Sequence, residues 1–222
     1  MKVLVIAPHP DDEVLGCGGT IKKYTSMGDQ VYLCIATKAY TPDWTEEFIA
    51  NRKEEIESAV KTLGINKLFL LDFPTVKLDT ISQKEINDSI SKVVQEVKPE
   101  VVFIPFGGDI NKDHKIIFEA SLVALRPNLE SSVKKVYCYE VLSETEWAKP
   151  AQKIEDVFMP NYYEDVSDYL EDKIKAMECY KSEVRGYPHP RSLEGIKILA
   201  QKRGLESGLK LSEAFMLIRE IK

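Results

Sequence analysis

Four short apolar runs, at residues 3–7, 31–36, 67–71 and 101–105, recur through the first half of the chain with longer amphipathic stretches between them. Within each run the apolar residues are nearly continuous, as in parallel strands whose two faces are both covered by helices. The intervening stretches, 13–27, 45–63 and 82–97, read as helices, and a fourth runs from about 113 to 125 and stops before Pro127. Thr45-Glu46-Glu47 gives the second helix an acidic start and Leu63-Gly64 a glycine stop, with Ile56, Val60 and Leu63 at helical spacing. Ser82, with Glu85 three residues on, has the form of a capping box. This rhythm admits few folds. It predicts an α/β, Rossmann-like domain: a doubly wound, mostly parallel sheet with helices on both faces and right-handed crossovers.

The last third is less regular. Residues 135–142 read as a further strand, 166–180 and 193–203 as helices, and 213–218 fit either a last strand or a helix. No repeat, low-complexity tract or linker interrupts the 222 residues, so residues 1–222 are expected to form a single domain. A net charge of −6 without a long basic run argues against a nucleic-acid partner. No apolar run approaches the length of a membrane span, and the run before Pro8 is too short for a signal peptide, so a cytoplasmic location is expected. Cys17, Cys34, Cys138 and Cys179 are widely spaced with no CxxC pair, which fits reduced core thiols better than a disulfide framework.

In an open α/β sheet, ligands bind beyond the carboxyl ends of the strands. The first strand runs into Pro8-His9-Pro10-Asp11-Asp12-Glu13 and then Gly16-Cys17-Gly18-Gly19. The fourth runs into Phe106-Gly107-Gly108-Asp109-Ile110-Asn111-Lys112-Asp113-His114. The chain has three histidines, and two of them, His9 and His114, sit at these strand ends. With Asp12 they form a plausible three-ligand set for a divalent metal, leaving a position open for water. Nitrogen and oxygen donors of this kind suit zinc, iron, cobalt or nickel better than magnesium. Asp11, adjacent to Asp12, is placed to take the proton that a metal-activated water gives up. Each residue also has a plainer reading: Asp12 as an N-cap, the histidines as hydrogen-bonding loop residues, the glycines as room for close packing. No GxGxxG follows the first strand, and the chain has no Walker A or GxSxG motif.

The Pro8–Glu13 hexapeptide with Gly16-Cys17-Gly18-Gly19-Thr20 resembles the signature of the PIG-L/LmbE-like N-acetyl sugar deacetylases. The likeness continues through Arg52-Lys53-Glu54-Glu55 to Leu63-Gly64 and through the Asp109–His114 loop. It reaches His189-Pro190-Arg191-Ser192, Arg203-Gly204 and Glu213-Ala214-Phe215 near the end of the chain, so it spans essentially the whole sequence. The resemblance implies His9, Asp12 and His114 as ligands to Zn2+, with Fe2+ as an alternative metal. It implies Asp11 as a general base that later returns its proton to the departing amine, and Arg52 as a substrate contact. Many relatives carry a histidine three residues before the last ligand; this chain has Asn111 there. An asparagine amide can donate to an oxyanion but cannot carry a proton. His189, the remaining histidine, is the candidate for that acid role.

The function expected from these residues is hydrolysis of an N-acetyl group on a small amino-sugar substrate or sugar conjugate. Asp109, Arg52 and Arg191 would grip the sugar, and Trp44 or Trp147 would stack on it. Two alternatives share the scaffold: an amidase of thiol conjugates, and a non-catalytic module that binds metal and sugar. The resemblance also allows a homo-oligomer.

Overall fold

The computed structural model describes residues 1–129 and 131–222. In chain order the elements are β1 (Lys2–Ala7), α1 (Asp12–Ser26), β2 (Gln30–Lys38), α2 (Glu46–Leu63), β3 (Lys67–Pro74), α3 (Gln83–Val97), β4 (Val101–Pro105), α4 (Lys112–Ala124), β5 (Lys135–Tyr139), β6 (Tyr162–Asp165), α5 (Leu170–Cys179), α6 (Leu193–Ser207) and β7 (Ser212–Glu220). The strands form one sheet in the order β3-β2-β1-β4-β5-β7-β6. β1 to β5 pair in parallel, and β7 runs antiparallel to both β5 and β6. The α/β fold is therefore as the sequence predicts.

Strand pleating sends alternate residues to opposite faces, and both faces are buried. Val3, Val5 and Ala7 of β1 pack with Val14 and Leu15 of α1 and Ala59 and Leu63 of α2. Leu4 and Ile6 belong to the other face, with Ile86, Ile90 and Val93 of α3 and Ile117 and Ala120 of α4. That explains why the central runs are unbroken in sequence. The helix starts follow local chemistry: Thr45 accepts from Phe48 N and Ser82 from Glu85 N, while Gly64 ends α2 at φ 75°.

Four expectations need correction. Residues 67–71 were expected to be buried, but β3 is the outer strand, has one neighbour, and leaves Leu70 46% exposed. The helix expected over 166–180 begins at Leu170; the residues before it include β6, a four-residue strand that exists through its pairing with β7. The strand expected over 135–142 ends at Tyr139, and the helix expected over 193–203 continues to Ser207. Residues 213–218, open between strand and helix, lie in β7.

The glycines of α1 are positions of close approach. A Cβ on Gly16 would fall 2.2 Å from the Tyr139 ring of β5, and one on Gly18 would fall 2.8 Å from Lys173 of α5. Lys173 pairs with Glu213 at 2.6 Å, and this buried pair bonds the α1 backbone at Leu15, Gly19 and Thr20. The helix behind the first sequence motif is thus held from both sides.

Candidate active site and metal centre

From β1 the chain steps to β2 and β3 on one side, then returns to β4 and β5 on the other. The loops after β1 and β4 leave the sheet at this switch point, where ligand sites of open α/β sheets form. His9 follows β1, Asp12 opens α1, and His114 lies in the first turn of α4. The three offer donor atoms that all lie within 4.8 Å of one another.

Each imidazole is held from behind by a carboxylate. His9 Nε2 lies 3.1 Å from Asp113 Oδ2, and His114 Nδ1 lies 2.8 Å from Asp109 Oδ2. In the neutral tautomer with its hydrogen on that outer nitrogen, the one a metal ligand takes, each ring presents a lone pair from the inner nitrogen. The two inner nitrogens, His9 Nδ1 and His114 Nε2, are 3.3 Å apart. They lie 3.3 and 3.2 Å from Asp12 Oδ2. The two inner nitrogens and the Asp12 carboxylate thus converge on one point that favours positive charge, whether a proton or a metal cation.

Asp12 supplies a further test of fit. Its Oδ2 accepts from His9 N at 2.8 Å, while Oδ1 is buried without a hydrogen-bond partner among the described residues. An orphaned buried carboxylate oxygen is costly unless a cation satisfies it. The local field has the same sense. Burial opposes charge on His9, but the carboxylates of Asp113 and Asp12 outweigh it and push the ring up to about 9. Burial opposes charge on His114 too, and Asp12 and Asp109 still carry it well above its ordinary value. Burial likewise works against the Asp12 carboxylate, and the neighbouring His114 and His9 nonetheless hold it far below the usual range. The residues fit a divalent metal with nitrogen and oxygen donors.

Asp11 stands immediately before α1 with φ 105° and ψ −24°, a left-handed conformation uncommon outside glycine. Its side chain is 2% exposed and accepts from Arg191 Nη1 at 3.1 Å. Burial pushes its carboxyl well up, and Arg191 pulls in the opposite direction. A cavity of about 200 Å³ opens over these groups, lined among others by His9, Asp11, Trp44, Arg52, Asn111 and Arg191. Asn111 caps α4, accepting from Asp113 N through Oδ1, which leaves its amide NH2 as a donor. Arg52 is bonded to Glu183 and to the Pro10 carbonyl, with its guanidinium 5.1 Å from the Phe48 ring centre.

Three sequence expectations fare differently. Asp109, expected to grip substrate, is 0% exposed, and its oxygens are taken by His114 and by Thr145 Oγ1 at 2.6 Å. Its carboxylate is thus turned to the His114 ring and away from the cavity. His189 is absent from the cavity lining; its Nδ1 accepts from Arg191 N, and its ring meets Trp147 edge-on. Arg191 does line the cavity, but Asp11, Ser143, Glu144 and Glu183 occupy its guanidinium. Residues that sequence reasoning passed over include Asp113, Glu13, Glu144, Glu183 and Tyr180. Asp113 was signalled by its place beside His114; Glu144 and Glu183 lie in loops with no motif.

Residues 4–125 match the family model described as PIG-L, GlcNAc-PI de-N-acetylase. The chain belongs to the PIG-L family. Among the relatives of this PIG-L protein is the diacetylchitobiose deacetylase of Thermococcus kodakarensis, 31% identical over 195 residues, covering 82% of this chain and 70% of that protein. Another is a probable N-acetyl-alpha-D-glucosaminyl L-malate deacetylase 2 of Bacillus cereus, 26% identical over 191 residues, covering 82% of this chain and 83% of that protein. The fold is shared with the N,N'-diacetylchitobiose deacetylase of Pyrococcus horikoshii, with a TM-score of 0.78, 24% identity, and coverage of 98% of this chain and 84% of that one. Among the described residues no helix is long and apolar enough to cross a membrane.

Proposed function

We propose that this PIG-L protein hydrolyses the N-acetyl amide of a small amino-sugar substrate, with His9, Asp12 and His114 holding a zinc ion and Asp11 acting as the base. The observation that carries this reading is the meeting of a three-donor set, including an orphaned Asp12 oxygen, with the buried Asp11 carboxylate beside one cavity. A divalent metal held by these three residues would supply Lewis acidity toward an acyl oxygen and would lower the pKa of a bound water. Asp11 takes a proton from the attacking water and delivers it to the amide nitrogen as the C–N bond breaks, so acetate and a free amine leave. The Asn111 amide donates to the acyl oxygen as negative charge develops on it. Arg52 and Trp44 line the cavity and form the wall against which the sugar packs. The two relatives are named for N-acetylated sugars, which supports this substrate class.

The test is to strip the protein with chelator, reload it with zinc, and assay N-acetylated amino sugars for acetate and amine released in equal amounts. Asp11→Ala is expected to keep its metal and lose most turnover, and His9→Ala to lose the metal. Near-full turnover in Asp11→Ala would remove it as the base.

A further inference from the structure

We infer that Glu13, braced by Tyr180, is a positioning residue that holds the Asp11 backbone in its left-handed conformation and so frees the Asp11 carboxylate for the site. The inference rests on the reading of Asp11 as the base. A residue at the N-cap of a helix ordinarily spends its side-chain oxygen on a backbone N–H in the first turn. Asp11 occupies that position for α1, yet its side chain makes no capping bond. The polarity is reversed: Asp11 N–H donates to Glu13 Oε2 at 3.1 Å, so a side chain of the first turn reaches back to the cap residue. The Asp11 carbonyl still accepts from Val14 N and Leu15 N at 3.0 and 2.9 Å, which ties the residue to the helix. With both backbone groups engaged at φ 105°, the carboxylate is released from capping and meets Arg191 instead.

A non-glycine residue keeps such a conformation only where its surroundings over-determine it. Glu13 can do so because it is itself fixed. It is 0% exposed, and its second oxygen accepts from Tyr180 Oη at 2.6 Å. Tyr180 is also fully buried, just past the end of α5. Glu13 does not line the cavity, and its hydrogen bond on the side of the site is the one it accepts from Asp11 N–H. Tyr180 also opens the segment that returns Glu183 to Arg52 and Arg191 to Asp11. One hydrogen bond thus joins both approaches to the base.

The test compares Glu13→Ala, Glu13→Gln and Tyr180→Phe with the unaltered protein by two readouts. The first is amide hydrogen exchange at Asp11, measured with and without zinc. Glu13→Ala is expected to speed exchange at that amide by at least about tenfold, the cost of one lost hydrogen bond. Glu13→Gln, whose carbonyl oxygen can still accept, restores most of the protection. The second readout is acetate release. Glu13→Ala is expected to lower kcat by about tenfold to a hundredfold, as for a reacting group displaced by about an ångström. KM and zinc stoichiometry stay near the unaltered values, whereas a merely structural role would lower folded protein and metal content together. Tyr180→Phe moves both readouts in the same direction and carries the test with Glu13→Gln if Glu13→Ala does not fold. Unchanged Asp11 exchange in the folded variants, or lost protection with unchanged kcat, overturns the inference. If the unaltered protein released no acetate while exchange followed the expected pattern, the functional reading would fail and the structural role of Glu13 would stand.

Discussion

Arg191 places Nη1 3.1 Å from Asp11 Oδ2 across a sequence separation of 180 residues. The same guanidinium serves Ser143 through Nε at 2.7 Å and Glu144 through Nη2 at 3.2 Å, and Nη1 also reaches Glu183 at 3.0 Å. One cation therefore holds three carboxylates that would otherwise repel one another around the cavity. Removing one partner of a buried pair leaves uncompensated charge. Arg191→Met is accordingly expected to cost about 3 kcal/mol of stability, the low end for such a loss because the arginine keeps some water contact. Arg191→Lys serves fewer acceptors and falls between. Denaturant unfolding checks this alongside kinetics. A raised KM with unchanged stability would return Arg191 to direct substrate contact.

Asp109→Asn separates two roles for a residue that sequence reasoning placed against the sugar. Its carboxylate accepts from the His114 ring and from Thr145, and none of it is exposed. Carboxylates behind ligating histidines set ring orientation and basicity, and their loss typically weakens metal binding about 10–100-fold. Asp109→Asn is expected to do so, and Asp113→Asn the same behind His9. Zinc affinity by competition with a coloured chelator is the measurement. Unchanged affinity with a raised KM would restore the substrate-binding role.

The parts of the fold that were legible are those whose cause is local. The β1 run, the Thr45 and Ser82 caps and the Gly64 stop each follow from a few neighbouring residues. β6 was not legible because Tyr162–Asp165 carries little pattern of its own and becomes a strand by pairing with β7. The exposure of β3 was not legible because continuous apolar residues cannot tell a central strand from an edge. In the site, the meeting of His9, Asp12 and His114 was legible because each lies on the loop or helix start that follows a central parallel strand. Glu144, Glu183 and Arg191 arrive on loops after β5 and α5, and only tertiary closure brings them to Asp11. Asp109 shows the remaining gap: the sequence marks an acidic loop but not which acid turns inward.

The cysteines give a prediction about pH. Burial pushes the Cys34 and Cys138 thiols up to about 12, and Cys17 well above its usual value. Only the thiolate reacts with alkylating reagents. At about pH 8, iodoacetamide should therefore label half-buried Cys179 first and the other three only on unfolding. The linkage has a definite sign. A thiol whose pKa is higher folded than unfolded contributes stability in full below about 8.5 and loses it as pH rises toward 12. Over that window each such thiol contributes a loss of about 1.4 kcal/mol per pH unit. Cys34→Ala should make the alkaline decline shallower in denaturant melts. An identical slope would show that Cys34 ionises equally in both states.

Metal should couple to folding, because the set at the β1 and β4 loop ends satisfies itself poorly without it. Asp12 Oδ1 has no partner among the described residues, and the inner nitrogens of His9 and His114 face each other at 3.3 Å. A cation that binds the folded chain and not the unfolded one adds stability by mass action, about 2.7 kcal/mol at a hundred times its Kd. Adding zinc to chelator-stripped protein is therefore expected to raise Tm in a concentration-dependent way. Magnesium should do far less, since it prefers an all-oxygen shell. His114→Ala is expected to abolish the shift, while Asp11→Ala, which removes no donor, should retain it. A Tm indifferent to zinc, iron and magnesium alike would mean that the histidine–carboxylate contacts are a self-contained hydrogen-bond cluster, and the hydrolytic reading would fall with the metal.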